Sequence, residues 1–503
     1  MKNIAPAGIS ICMIVRNEER FLSDALRSVA GVANEICIVD TGSTDRTIEI
    51  ARAFGAKVER LAWSDDFSAA RNASLALARF RWILVLDADE RLHPDSIAAL
   101  KAIGNEPTAL RGRWLQCRNL NDDVKGSGAT TNALVRIFPN DARIRYRNPI
   151  HEFVAVAGSQ SGLSADMTAI EIVHLGYLND VVLERGKAER NLRLSRAAVE
   201  REPGDPFHHY NLGMAELLAG NHAEAAASLE RMRELTTTTP RGFRAHGLVA
   251  LADIYNEVLD RRERALVVIA DCLAIAPNYS NAHFSHGRVL ARAEQFFDAR
   301  NAFAAAIATG AHDGEQFVVD GEVAIWKAHS EIGATLMRED RHAEALQWFE
   351  LASEARPSAQ PLVVNRARAH EALGQLAEAE ALYAAAARSF GDEPSLIDHV
   401  NFLLRVGREA DAIVAIDVSL ERLSAGYQRV FLATAAALRH RAGATAEAQA
   451  FVDRALAVGD RAESEATLRA LWEQIDQPQL LGLITPVATA RAPGLRIAYT
   501  PQQ

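Results

Sequence analysis

Acidic residues at the ends of two apolar runs have the types and spacing to do chemistry. Asp87 and Asp89 follow the apolar run 82–86, and Asp40 closes a second run that begins at residue 35. Two aspartates at i and i+2, where a strand breaks into a loop, can hold a hard divalent cation that stabilises a departing diphosphate as a Lewis acid. An isolated pair of aspartates could simply belong to a solvated acidic turn. Here the apolar run before Asp87 is typical of a buried strand, so we expect these acids at the edge of a sheet.

Polar residues near the other strand ends could complete a ligand site. Asp40 could accept hydrogen bonds from a base or ribose, or serve only as the acid that a helix start favours. Arg16 and Glu18 follow the apolar run 9–15 and could line a base pocket, or could merely charge the start of the next helix. Arg71 could pair with a phosphate, with a surface salt bridge as the alternative.

The first half of the chain has the pattern of an α/β domain. Apolar runs of strand length at 9–15, 35–40, 56–60 and 82–86 alternate with helical patterns, one of which spans 68–78. This alternation predicts a parallel sheet that is covered on both faces. Ligands of such sheets bind beyond the carboxyl ends of the strands, so one ligand could contact both Asp40 and Asp87.

The second half is rich in alanine, helical and repetitive. Alanines recur at one point of each helix pair with spacings of 40, 34, 46, 34, 33 and 36 residues, at Ala225, Ala265, Ala299, Ala345, Ala379, Ala412 and Ala448. A helix-turn-helix period of 34 residues is that of the tetratricopeptide repeat. We therefore expect an α/β domain at 1–184, a connecting helix at 185–204, an all-α solenoid of about seven helix pairs at 205–476 and an irregular tail at 477–503.

The composition narrows the class of protein. The 503 residues carry a net charge of −10, which argues against a nucleic-acid partner. Every apolar stretch is interrupted by charge too soon to span a membrane, and the N-terminus lacks the pattern of a secretion signal. The four cysteines are scattered without metal-site spacing and suit a reducing cytoplasm, at Cys12, Cys37, Cys117 and Cys272.

Four segments in order, 10–19, 38–45, 66–72 and 82–90, resemble glycosyltransferase family 2. They are most similar to the bacterial branch that contains lipopolysaccharide-core transferases and sublancin-type peptide S-glycosyltransferases. The resemblance implies a Rossmann-like GT-A fold, a nucleotide-diphosphate sugar donor, Mn²⁺ or Mg²⁺, and inversion at the anomeric carbon. It also implies that Asp40 contacts the nucleoside, Asp87 the ribose or sugar, and Asp89 the metal. Family frequency favours a UDP-sugar, although Ile14 and Val15 replace a pair that often contacts the base.

The segments 134–138, 148–152 and 173–177 resemble the same branch and concern the acceptor. An inverting transfer needs a general base that faces the anomeric carbon, and Glu152 is our candidate. His151 could be the base, a metal ligand or an acceptor contact, and His174 could complete the metal coordination. A purely structural imidazole is the alternative for each histidine. Asp122 and Asp123, in a glycine-containing loop, are further candidates for the base.

The repeats indicate the class of acceptor. Stacked helix pairs form a concave groove that suits an extended peptide, and the polar residues that could line it are His208, His209, Asn211, Asn281, His283, Asn365 and Arg366. We therefore expect a polypeptide acceptor, such as flagellin or another surface protein. The repeats could instead mediate homo-oligomerisation or docking. The main alternative is a transferase that extends a lipopolysaccharide or capsule glycan on a repeat scaffold, and an inactive binding protein is a third hypothesis.

Overall fold

The computed structural model describes residues 5–121, 130–159, 162–177, 181–235, 242–310, 320–357, 359–474, 480 and 483. The chain divides into two compact units, Met1–Ile332 and Gly333–Gln503, so the division falls inside a helix rather than between the sheet and the repeats. The predicted tail lies almost wholly outside the described residues. The predicted domain boundaries stay predictions.

A sheet of eight strands forms the core of the N-terminal domain. Its order is β3-β2-β1-β4-β7-β6-β10-β5, and β8 pairs with β9 in a separate hairpin. The strands are β1 (Ile9–Val15), β2 (Glu35–Asp40), β3 (Lys57–Arg60), β4 (Trp82–Val85), β5 (Glu90–Leu92), β6 (Gly112–Asn121), β7 (Thr130–Pro139), β8 (Ile144–Arg147), β9 (Phe153–Val156) and β10 (Ala165–Tyr177).

The first four strands are parallel, as the sequence predicts. β1 lies between β2 and β4, and its register pairs Val15 with Asp40. Because β1 is covered on both faces, its side chains form a continuous apolar run. The rest of the sheet is mixed: β7 is antiparallel to β4 and to β6, and β5 is antiparallel to β10. The sheet is therefore parallel over β1 to β4, as predicted, and mixed beyond β4, where β7 adds antiparallel to β4.

Four helices belong to the sheet domain and a fifth follows it. They are α1 (Leu22–Val29), α2 (Thr47–Ala53), α3 (Phe67–Ala76), α4 (Ile97–Asn105) and α5 (Val181–Arg201). α3 begins after Asp66, whose carboxylate accepts a hydrogen bond from the backbone N–H of Ala69 at 2.9 Å. Such a cap satisfies one of the unpaired amides at a helix start and fixes where α3 begins. α5 occupies most of the segment that was predicted to connect the two halves.

Antiparallel helix pairs continue the first unit. They are α6 (Pro206–Leu218) with α7 (His222–Leu235), α8 (Gly242–Asp253) with α9 (Arg262–Ile275), and α10 (Ser280–Arg292) with α11 (Phe296–Thr309). A side chain at Gly287 would overlap the ring of Phe303, so glycine is required where the paired helices approach most closely. α12 (Ala328–Arg338) contains the division between the units.

The second unit continues the same architecture. Its helices are α13 (His342–Ala355), α14 (Gln360–Ala372), α15 (Leu376–Ser389), α16 (Glu393–Arg405), α17 (Glu409–Ser419), α18 (Ala425–Arg441), α19 (Thr445–Leu456) and α20 (Arg461–Gln474). The predicted helical repeats are thus confirmed, with buried alanines such as Ala379 and Ala412 at the contacts between helices. Throughout the described ranges, every helix is too short or too polar to span a membrane.

Candidate active site

Asp87 lies two residues after β4 and is held by two arginines. Its Oδ2 accepts hydrogen bonds from Arg71 Nη2 at 3.2 Å and from Arg136 Nη2 at 2.9 Å. Its Oδ1 lies 3.0 Å from Arg71 Nη1. Burial alone would raise the pKa of Asp87, but the two guanidinium groups hold it well below its usual range. Asp87 is therefore a fixed negative charge at the carboxyl edge of the sheet.

Arg71 joins Asp87 to the predicted general base. It projects from α3, is only 5% exposed, and donates from Nε to Glu152 Oε1 at 2.5 Å. Its guanidinium also lies over the ring of Tyr146, 5.5 Å from the ring centroid. Burial would lower the pKa of Arg71, but Asp87 and Glu152 raise it above its ordinary value. In this state Arg71 orients two carboxylates; the predicted contact with a phosphate stays a prediction.

Arg136 and Glu90 complete the network, and the sequence analysis assigned a role to neither. Arg136 lies on β7 and contacts Asp87 and Glu90, with Nη2 at 3.3 Å from Glu90 Oε1. Glu90 is 2% exposed and accepts a hydrogen bond from the backbone N–H of Asp87 at 2.8 Å. Burial raises the pKa of Glu90, and Arg136 only partly offsets this. A signal for Arg136 was present, because it is the one charged residue in the otherwise apolar run 133–138.

Asp89 pairs with His174, the other residue that was predicted to bind a metal. Asp89 Oδ2 lies 3.2 Å from His174 Nε2, and the backbone N–H of Leu175 donates to the Asp89 carbonyl at 2.9 Å. The antiparallel pairing of β10 with β5 sets this geometry by placing His174 opposite Glu90. The hydrogen bond to Asp89 is the main reason that the pKa of His174 is raised.

The Asp89 and His174 side chains fit a divalent cation. Ligand atoms in adjacent positions of an octahedral ion, with bonds of about 2.1 Å, lie about 3 Å apart. The separation of Asp89 Oδ2 and His174 Nε2 is close to that value. A cation held there would have to displace the proton that the two groups share.

Asp40 lies at the same sheet edge, on the other side of β1. Its carboxylate is 1% exposed, and Oδ1 accepts hydrogen bonds from the backbone N–H groups of Gly42 and Ser43, both at 3.1 Å. Gly42 has φ +114°, a conformation that favours glycine. The aspartate therefore stabilises the turn after β2, and only part of its acceptor capacity is left for a nucleoside.

Arg16 and Glu18 lie beside this turn rather than in the Asp87 network. Arg16 is exposed, while Glu18 is half-buried and its backbone N–H donates to Thr47 Oγ1 at 2.7 Å. Their predicted role in a base pocket stays a prediction. Asp122 and Asp123 lie outside the described residues.

His151 and Glu152 belong to a segment that is fixed to α3. Ser68 Oγ donates to the carbonyl of Asn148 at 2.6 Å, and the N–H of Phe67 donates to that of Pro149 at 2.8 Å. His151 has φ +52°, which is uncommon for a residue with a side chain. Partial burial of its imidazole lowers its pKa more than Glu152 raises it.

A cavity of about 810 Å³ lies next to this segment within the first unit. The segment contributes Asn148, Pro149 and Phe153 to its wall. Helices α6 and α8 contribute the aromatic rings of Phe207 and Phe243. The cavity is thus bounded by both the sheet domain and the first repeats.

The structure therefore groups the predicted site residues into three sets. Arg71, Asp87 and Glu152 form one network, Asp89 and His174 form a pair, and Asp40 stands with Arg16 and Glu18 near the turn after β2. His151 directly precedes Glu152 of the network in the sequence. Every one of these roles remains a prediction, although their positions at one sheet edge suit a common ligand.

Comparisons with known proteins agree with this architecture. The model of Glycosyl transferase family 2 matches residues 10–141. A TPR repeat-containing protein of Synechococcus elongatus is 37% identical over 215 residues, which are 42% of this chain and 52% of that protein. The SPbeta prophage-derived glycosyltransferase SunS of Bacillus subtilis is 24% identical over 225 residues, 44% of this chain and 52% of that protein. The chain thus spans about half the length of these curated relatives.

Among solved structures, a tetratricopeptide repeat protein from Parabacteroides merdae covers 53% of this chain and 97% of that chain, with 12% identity and a TM-score of 0.38. Residues 10–141 thus resemble a glycosyl transferase family 2 domain, and pairs of helices similar to tetratricopeptide repeats follow it in the same chain.

Proposed function

We propose that the chain is an inverting, metal-dependent glycosyltransferase that moves a sugar from a nucleotide diphosphate, of which UDP is the favoured form, to a polypeptide side chain. The observation that carries this proposal is the convergence of Asp87, the Asp89–His174 pair and Glu152 at one sheet edge. A donor needs a cation for its diphosphate and an acceptor needs a base, and these neighbouring side chains offer candidate groups for both.

Asp89 and His174 would hold Mn²⁺ or Mg²⁺, which supplies charge neutralisation to the leaving diphosphate. Asp87 would accept hydrogen bonds from the ribose or the sugar, and Arg71 and Arg136 keep its carboxylate charged and oriented. Asp40, with Arg16 and Glu18, would contact the nucleoside from the adjoining strand ends. This division of roles follows the order of β2, β1 and β4 across the sheet.

Glu152 would take the proton of the acceptor nucleophile as that atom bonds to the anomeric carbon and the bond to the diphosphate breaks. One oxygen of Glu152 is held by Arg71, and among the described residues no hydrogen bond involves Oε2, which is left for the acceptor. His151 is the alternative base, because its lowered pKa keeps the imidazole neutral near pH 7. Loss of transfer in Glu152→Gln but not in His151→Asn would identify the glutamate.

The repeats support a polypeptide acceptor. The cavity next to the segment that contains Glu152 is walled in part by α6 and α8, so a chain bound along the first repeats could enter it. Holding a peptide next to the reacting centre raises its effective concentration. Flagellin or another surface protein, modified in the cytoplasm before export, would be a suitable acceptor. Homo-oligomerisation through the repeats would be a further use of these helices.

The proposed use of a nucleotide-sugar donor and a metal ion is tested by a hydrolysis screen. Purified full-length protein is incubated with UDP-, GDP- and TDP-sugars with Mn²⁺ or with a chelator, and the released nucleotide is measured. We expect turnover of one nucleotide class that requires the cation and is lost in Asp89→Ala. Asp95→Ala is the matched control, because Asp95 is exposed and contacts only His93 beyond β5. Turnover that survives Asp89→Ala would overturn the metal assignment.

The proposed polypeptide acceptor is tested by mass spectrometry of intact proteins from cells with and without the gene. A polypeptide acceptor predicts a shift of one hexose or N-acetylhexosamine on a specific protein. An unchanged proteome with altered lipopolysaccharide or capsule glycans would contradict it and support the glycan-extending alternative.

A further inference from the structure

Three side chains at the turn between α5 and α6 converge on the cavity wall. They are Glu202, Asp205 and His208, and each offers one ligand atom within 4.8 Å of the other two. His208 Nε2 lies 3.9 Å from Asp205 Oδ2 and 4.0 Å from Glu202 Oε2. These separations are too long for hydrogen bonds and exceed the roughly 3.3 Å between adjacent ligands of a tetrahedral ion with bonds of about 2.0–2.1 Å, so a bound cation would draw the side chains closer together.

The three residues differ in mobility. The His208 side chain is 5% exposed and is fixed in the first turn of α6. Asp205 is fixed as well, because its Oδ1 accepts a hydrogen bond from the backbone N–H of Phe207 at 2.8 Å, which leaves Oδ2 to face His208. Glu202 is 66% exposed and has the rotational freedom to close on a cation. Two ligands are thus in place before an ion arrives.

His208 is not required by the repeat fold. Gly213, Gly247, Gly287 and Gly333 occupy equivalent positions of successive repeats, and the residues five positions earlier are His208, Gly242, Ala282 and Ala328. A small residue therefore suffices where His208 is buried. The neighbouring histidine does have a repeated structural role, because the rings of His209 and His283 hydrogen-bond the carbonyls of Pro203 and Pro277 at 2.9 and 2.8 Å.

We propose that Glu202, Asp205 and His208 bind a divalent transition-metal ion, of which Zn²⁺ is the best match. One imidazole nitrogen with two carboxylate oxygens is a ligand set that Zn²⁺ accepts, and three protein ligands leave a coordination position open. All three residues line the cavity, so the open position would face that cavity. The site is separate from the Asp89–His174 pair and does not depend on the proposed transfer reaction.

The site is tested by calorimetry on the full-length protein after chelator treatment, without nucleotide, and with Zn²⁺ as the ligand. The titrations use an Asp89→Ala background, which removes the donor-side pair. We expect one equivalent of Zn²⁺ to bind. We expect at least a tenfold weaker affinity in His208→Ala, which introduces the residue found at two equivalent repeat positions, and in Asp205→Asn, which preserves the helix cap.

His283→Ala is the matched control, since it removes an exposed histidine from the equivalent helix start two repeats later. It should leave Zn²⁺ affinity within twofold of the parent. Circular dichroism of the chelated proteins shows whether each variant is folded, and added Zn²⁺ should raise the Tm of the parent but not of His208→Ala. Absence of a Zn²⁺ equivalent in the parent, or unchanged affinity in both folded variants, would overturn the proposal.

Discussion

Replacing Arg136 by methionine removes the guanidinium that joins Asp87 to Glu90 and keeps a similar apolar stem. Arg136 is buried and contacts both acids, at 2.9 and 3.3 Å. Without it, Asp87 keeps only Arg71 as a cationic partner, and Glu90 loses the main group that stabilises its charged form. We expect the sheet to lose stability and the donor site to lose the fixed orientation of Asp87.

The magnitude follows from these contacts. Two opposite charges 4 Å apart attract by about 4 kcal/mol at an effective dielectric constant of 20. The cost of removing the guanidinium from water and its repulsion from Arg71 offset much of this, and breaking a buried pair costs about 3–5 kcal/mol. Because burial already raises the pKa of Glu90, this group can take up a proton and limit the loss. We therefore expect about 3 kcal/mol for Arg136→Met.

The assay is hydrogen exchange of the β4 and β7 amides against denaturant, which reports on the sheet separately from the helices. The loss should be larger at pH 8 than at pH 5, since in the variant the folded state holds a proton on Glu90 that the unfolded state releases. Adding Glu90→Gln to the Arg136→Met variant should recover part of the lost stability. Donor hydrolysis should fall roughly 10- to 100-fold, as for other residues that orient a ligand group.

Arg118→Met provides the matched control. Arg118 also pairs with a glutamate, Glu171, at 2.8 Å, but both side chains are partly exposed. Exposed pairs of this kind contribute less than about 1 kcal/mol. An equal loss in the two variants, or a loss below 1 kcal/mol without a change in hydrolysis for Arg136→Met, would refute the role given to the buried network.

Three further predictions follow. Burial raises the pKa of Asp253 to about 6, so the wild type loses stability as pH rises from 4 to 6. Asp253→Asn should therefore raise the free energy of unfolding by up to about 3 kcal/mol at pH 8 and leave it unchanged at pH 4. Denaturation at the two pH values measures this difference. Because Asp89 raises the pKa of His174, a bound cation must displace a proton, and Mn²⁺ affinity by calorimetry should increase with pH in the wild type but not in His174→Asn. Gly287→Ala should destabilise the repeats by about 1–3 kcal/mol in thermal unfolding, because the added methyl group overlaps Phe303.

Local patterns were sufficient for the strands that carry the donor site. β1 and β4 are buried on both faces, so their apolar runs were recognisable, and the acids that end such runs must lie at one sheet edge. The repeats were recognisable for a related reason. Each helix pair needs a small residue at the same contact, which produces the recurring alanines.

The partners of these acids depend on pairings that no local pattern encodes. Arg136 reaches Asp87 only because β7 adds antiparallel to β4, with Ile83 opposite Phe138. Arg71 contacts Glu152, 81 residues further along the chain, through the fixed segment before β9. The sequence therefore indicated which residues could do chemistry, whereas the long-range pairing of strands determines which of them act together.

The charges of the site explain why so many acids are gathered around two arginines. Asp87, Asp89, Glu90 and Glu152 bring four carboxylates, and Arg71 and Arg136 bring two guanidinium groups, so the described cluster is negative overall when all are ionised. An anionic diphosphate alone would be repelled by such a cluster. A divalent cation at Asp89 and His174 would neutralise this excess negative charge. The positive charges of the cation and the two arginines would then balance those of the four carboxylates. The two buried arginines thus hold the pKa of Asp87 low, and a cation at Asp89 and His174 would prepare the site for an anionic donor.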